Sequence, residues 1–142
     1  MTDVRTSLEV GFPGGELPAR YAPLRGRVWR SADRADELPF EDAQFEVVIL
    51  DGASVSREAV REAHRVLRTD GRLYFTVFEK SGATTSGYSL PEIYSLVRDG
   101  FHIVGVNRPS RWLFWRRDRT VTICAKKKNW KSHAGNSYRP YL

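Results

Sequence analysis

The sequence predicts an α/β fold: a mostly parallel sheet with helices on its faces and an antiparallel hairpin at its C-terminal edge. Three observations predict it. The segments Phe45 to Leu50 (FEVVIL) and Leu73 to Phe78 (LYFTVF) are strands too apolar to be half-exposed. Between them lies an amphipathic stretch, and a strand, helix, strand order is what parallel pairing requires. Two further apolar runs, Phe101 to Val106 and Thr120 to Ala125, are the last two strands and are joined through Asn107-Arg108-Pro109-Ser110 and an aromatic, basic stretch.

Taken in order, Leu8 to Val10 is a short strand leading into Gly11-Phe12-Pro13-Gly14-Gly15, a loop that cannot be helical. Residues 16–24 (ELPARYAPL) form a short helix or turn, interrupted by Pro18 and Pro23. Arg27 to Ala32 reads as another strand, ending at Asp33. The helix from Arg57 to Leu67 has Ser56 as N-cap, Glu58 in its first turn, and an apolar face of Ala59, Val60, Ala63, Val66 and Leu67. Thr69-Asp70-Gly71 turns the chain into the strand beginning at Leu73. Both of that strand's faces, Leu73, Phe75, Val77 and Tyr74, Thr76, Phe78, are apolar enough to be covered. Ser89 with Glu92 forms a capping box, Pro91 sits in the first turn, and Gly100 stops the helix Pro91 to Asp99.

A chain of 142 residues with 41% hydrophobic residues is one domain with a proper core. It has neither an apolar run of membrane-spanning length nor a charged-apolar-small leader, so a cytoplasmic location is expected. The single cysteine, Cys124, cannot make an internal disulfide or a metal cluster, and no metal site is expected. The net charge of +6 is uneven: from Arg108 onward six Arg and four Lys face Asp118 alone, while residues 1–107 carry 13 basic and 16 acidic side chains. Such asymmetry points to an acidic or polyanionic partner without naming it.

Four pieces of text stand in a telling order: Leu38-Pro39-Phe40, Phe45-Glu46-Val47-Val48, Glu62-Ala63-His64-Arg65-Val66-Leu67 and Gly71-Arg72-Leu73. They closely resemble the second half of the class I S-adenosylmethionine-dependent methyltransferases, and the resemblance continues from Ser89 to Lys128. It implies a reduced Rossmann-like sheet over residues 1–128, followed by a basic, aromatic tail, 129–142, beyond where the family usually ends.

The resemblance also implies a cofactor site at the carboxyl ends of the first strands. Leu8 to Gly15 resembles the family's first motif, an acid followed by a glycine-rich turn. Glu9 fits the acid, Gly11 and Gly15 the outer glycines, with Gly14 beside them, while Pro13 replaces the middle glycine and removes a backbone N–H. Only 22 residues separate Gly15 from Leu38. The family normally fits a helix, a strand, another helix and a third strand there; this interval holds about one short helix and one strand. If Val28 to Ala32 replaces the second strand, Asp33 stands where a ribose acid belongs; it reads equally as a turn residue. Asp51, at the end of the central strand, occupies the position from which the family reaches substrate; the plainer reading is an Asp-Gly turn. His64 reads as a surface or packing residue rather than a base.

The stretch Asn107 to Thr120 brackets Trp112, Leu113, Phe114 and Trp115 with arginines. It reads first as a hairpin whose aromatics cover a sheet edge. Its functional reading is a patch in which Arg111, Arg116, Arg117 and Lys127 engage phosphate or carboxylate while Trp112, Trp115 and Trp130 stack on a base or a partner side chain. Two functions remain open. One is a degenerate methyltransferase homologue with weak or lost cofactor binding, acting as a subunit alongside another protein chain or a second copy of itself. The other is a compact working methyltransferase on a small molecule or nucleic acid.

Overall fold

The computed structural model describes residues 6–12, 17–26, 28–79, 87–107 and 120–128. These residues form six strands, β1 (Thr6–Val10), β2 (Val28–Ala32), β3 (Phe45–Leu50), β4 (Leu67–Phe78), β5 (Phe101–Asn107) and β6 (Thr120–Lys127). Two α-helices accompany them, α1 (Arg57–Val66) and α2 (Leu90–Val97). One sheet takes all six strands in the order β2-β1-β3-β4-β6-β5. The pairings β1–β2, β1–β3 and β3–β4 are parallel, and β6 runs antiparallel to both neighbours. The expected fold class is therefore the observed one. The last strand nevertheless lies inside the sheet, between β4 and β5, which leaves β2 and β5 as edges.

Local chemistry explains both helices. The Ser56 hydroxyl accepts the Ala59 amide at 3.0 Å, and α1 buries Ala59, Val60, Ala63 and Val66 at helical spacing. At α2 the Ser89 hydroxyl takes the Glu92 amide while the Glu92 carboxylate takes the Ser89 amide, completing the expected capping box. The Thr69-Asp70-Gly71 turn is present inside β4. Phe45 pairs with Leu67 but Val47 pairs with Arg72, so the intervening residues loop out of register, and Asp70 takes a positive φ of 67°.

The sheet's two faces are treated unequally. Leu8, Val10, Val48, Leu50, Leu73, Phe75, Val121, Ile123 and Ala125 meet the apolar faces of α1 and α2 in the main core. The opposite face is lined by a smaller cluster, Tyr21, Val47 and Ile49, under the 3-10 turn Ala19–Leu24. Among the described residues both α-helices lie against the same face. Tyr74 and Thr76 are consequently half-buried and Phe78 is exposed, which corrects the expectation that β4 is covered on both sides.

The interval between β1 and β3 contains, in its described residues, one 3-10 turn and one strand, as its length predicts. Its strand β2 is an edge with Val28, Trp29, Arg30 and Ser31 exposed.

Candidate functional site

The carboxyl ends of the parallel strands converge on Gly11 and Asp51. The Gly11 amide donates to the Ala32 carbonyl at the end of β2 (3.0 Å), and the Asp51 amide donates to the Val10 carbonyl at the end of β1 (2.9 Å). Gly11 has a φ of +86°, and a Cβ there would come within 2.8 Å of the Asp51 Cβ and 2.6 Å of the Ser54 hydroxyl oxygen. Glycine is required at this turn both by backbone angle and by the close approach of Asp51.

Beside these strand ends opens a cleft of about 500 Å³. Phe12, Tyr21, Phe78 and Tyr88 are its aromatic walls, and among the described residues Asp51 is the only charged one lining it. The Tyr21 hydroxyl is engaged with Thr76, whose hydroxyl is in turn bonded to Thr122 at 2.8 Å. The Tyr88 hydroxyl donates to the Val55 carbonyl at 3.1 Å. Phe12 and Tyr21 meet edge to face with centroids 6.4 Å apart.

Each residue singled out in the sequence finds its place relative to this cleft. Asp51 lines it and Gly11 borders it. Asp33 is exposed immediately past the end of β2, next to the Ala32 carbonyl that receives the Gly11 amide. Glu9 points to the other face. Its side chain is fully buried and holds Arg25 in a two-pronged ion pair, Nε to Oε2 at 2.5 Å and Nη2 to Oε1 at 2.7 Å. The carboxylate raises the guanidinium pKa further by that hydrogen bond, and the guanidinium also stacks 4.1 Å over the Trp29 ring. Lys127 donates to the Leu67 carbonyl at 2.7 Å, and burial lowers its pKa. Gly14, Gly15, Arg111, Trp112, Trp115, Arg116, Arg117 and Trp130 lie outside the described residues.

His64 is a packing residue, as expected. Its ring meets Phe101 edge to face at 5.4 Å, Gly100 lies against it with no room for a Cβ, and its Nε2 is buried without a partner among the described residues. The sequence reading missed Tyr21, Tyr88, Phe12 and Phe78 as cleft residues. None carries a local signal; they meet only because the 3-10 turn, a strand end and a loop converge at the carboxyl ends of the strands.

This architecture, a mixed six-stranded sheet with a cleft at the carboxyl ends of its parallel strands, is that of the Rossmann-like methyltransferase fold. Residues 20–75 match the family described as methyltransferase domain. No curated protein matches the sequence. Among solved structures, a candidate methyltransferase from Bacillus halodurans C-125 superposes with a TM-score of 0.69 at 12% identity, over 91% of this chain and 95% of the other. The Burkholderia thailandensis 1,6-didemethyltoxoflavin-N1-methyltransferase, solved with bound 1,6-didemethyltoxoflavin and S-adenosylhomocysteine, gives 0.63 at 21% identity, over 87% of this chain and 71% of the other. The [4+2]-cyclase SpnF gives 0.68 at 16% identity, over 87% and 74%. The chain thus has the fold of the class I methyltransferases, and its segment 20–75 is similar to the methyltransferase domain family. The cyclase is a reminder that this fold serves other chemistry, so activity has to be argued from the site.

Proposed function

We propose that the chain is a compact methyltransferase that holds S-adenosylmethionine at the ends of β1 and β2 and a small acceptor in the cleft beside Asp51. The supporting observation is that cleft: about 500 Å³, within the range of small-molecule sites, opening directly beside the Gly11 turn. Gly11 fits the cofactor because only a residue without Cβ leaves its backbone open there, and Asp33 fits as a carboxylate at the end of the neighbouring strand. When bound, the sulfonium would supply an electrophilic methyl carbon with a neutral thioether as its leaving group. The chain's own residues then have alignment as their main task. Asp51 orients a donor group, the aromatic walls exclude water, and a strong base is not needed. A cytoplasmic location goes with this reading.

A second reading, a homologue without autonomous catalysis that acts as a subunit, is favoured by two observations. Glu9 is committed to Arg25, and the β2 edge is open to another chain or a second copy. Calorimetric titration with S-adenosylhomocysteine decides between them. Saturable binding that Gly11→Val and Asp33→Ala each abolish supports the enzyme. Absence of binding by a folded protein, together with a co-purifying protein or RNA in native mass spectrometry, supports the subunit.

A further inference from the structure

We propose that the cleft is selective for an arylalkyl amine in its cationic form, with the ring between the aromatic walls and the ammonium on Asp51. The proposal deepens the acceptor site above: the ammonium, which has no lone pair, serves as the recognition group, and the methyl-accepting atom belongs to another group of the same ligand, so the recognition does not require the cofactor to bind. Charge, hydrogen bonding and size carry it.

Charge comes first. Among the described residues Asp51 is the one charged residue lining the cleft, and no described lysine or arginine forms an ion pair with it. A carboxylate in an otherwise apolar recess is costly to desolvate unless a ligand brings the opposite charge. Phosphate-bearing acceptors would meet that carboxylate as like charge. This disfavours nucleic acid in the cleft even though the chain as a whole carries +6.

Hydrogen bonding comes second. The two tyrosine hydroxyls are already engaged, Tyr21 with Thr76 and Tyr88 with the Val55 carbonyl. Their rings therefore present faces and edges rather than free hydroxyl groups. With Phe12 and Phe78 they form a π-rich enclosure, which attracts flat apolar groups and stabilises a cation through the ring quadrupoles. Phe78, 57% exposed, stands at the rim of the cleft. Size comes third, since about 500 Å³ suits a ring with a short side chain and not a polymer.

The test is calorimetric titration of the full chain with 2-phenylethylamine, its uncharged analogue 2-phenylethanol and the anion phenylacetate. The amine is expected to bind in a saturable manner, at least about tenfold more tightly than the alcohol, with the acid weakest. Asp51→Asn should lose that margin, and Phe78→Ala, at an exposed rim position that cannot unfold the core, should weaken all three. Equal binding of amine and alcohol, an amine margin unchanged in Asp51→Asn, or no binding by a folded protein would each overturn the proposal. Titration with S-adenosylhomocysteine alone separates the two ideas. Cofactor binding without amine binding removes this proposal only, and amine binding without cofactor binding removes the enzyme reading only.

Discussion

Arg65 donates through Nη2 to the carbonyl oxygen of Leu38 across 2.9 Å, from a helix to a loop 27 residues earlier. The same guanidinium reaches the Phe40 carbonyl at 2.8 Å, Asp42 at 2.9 Å and Glu62 at 3.0 Å, and the Glu62 carboxylate receives the Leu38 amide at 2.9 Å. The text LPF and the text E-x-x-RVL therefore belong to one fastening, which ties the loop before β3 onto α1. These two pieces of the family resemblance are architectural, and none of their residues lines the cleft.

Replacing Arg65 with Ala should destabilise the fold by about 2–3 kcal/mol, because it leaves two loop carbonyls and a half-buried carboxylate without their donor. Lys should recover little of this, since one ammonium cannot span four acceptors arranged around a planar fork. Urea unfolding measures both. A Lys variant as stable as the parent would refute the account.

Acid should destabilise the protein in two separate windows. Burial, with the Lys127 charge adding to it, holds the His64 pKa below its ordinary value. The unfolded chain then binds that proton first, so stability falls as pH drops below about 6.5 toward the lower folded value. Glu62 is held below the usual carboxylate range by the hydrogen bond from Arg65, so its contribution is intact above that range and is lost as pH falls through its folded value. Denaturant midpoints measured across pH should show both losses. His64→Gln should flatten only the upper window, and Glu62→Gln only the lower.

The Glu9–Arg25 pair makes a third expectation. Removing Arg25 alone leaves a fully buried carboxylate without its cation, and Arg25→Ala should cost on the order of 2–4 kcal/mol. The double variant Arg25→Met with Glu9→Gln should regain most of that loss, because burying two charges carries its own desolvation cost. A double-mutant cycle by thermal unfolding gives the coupling, and strictly additive effects would show the pair to be inert.

Gly11→Ala tests the turn at the site. Positive φ and the contacts with Ser54 and Asp51 should together cost about 1–3 kcal/mol. Any heat of binding measured with S-adenosylhomocysteine should fall further than the same loss of stability produced elsewhere by Arg65→Lys. Equal binding by the two variants would separate Gly11 from the cofactor.

What the residues determine locally was legible in the chain by itself. Ser56 and Ser89 cap their helices through atoms three residues away, the strands declare themselves by apolar content, and Gly11 stands where a positive φ is needed. The 22-residue interval before Leu38 holds, in its described residues, the short elements its length allows. Tertiary structure alone decided the rest, because it depends on pairs far apart in sequence. Glu9 meets Arg25 only because β1 sits between β2 and β3, with the 3-10 turn on one face. β6 enters between β4 and β5 because both its edges find backbone partners there. Tyr21 reaches Thr76, 55 residues away, only after the sheet is formed. A side chain's neighbours across a sheet are set by strand order and register, and neither can be read from the few residues beside it.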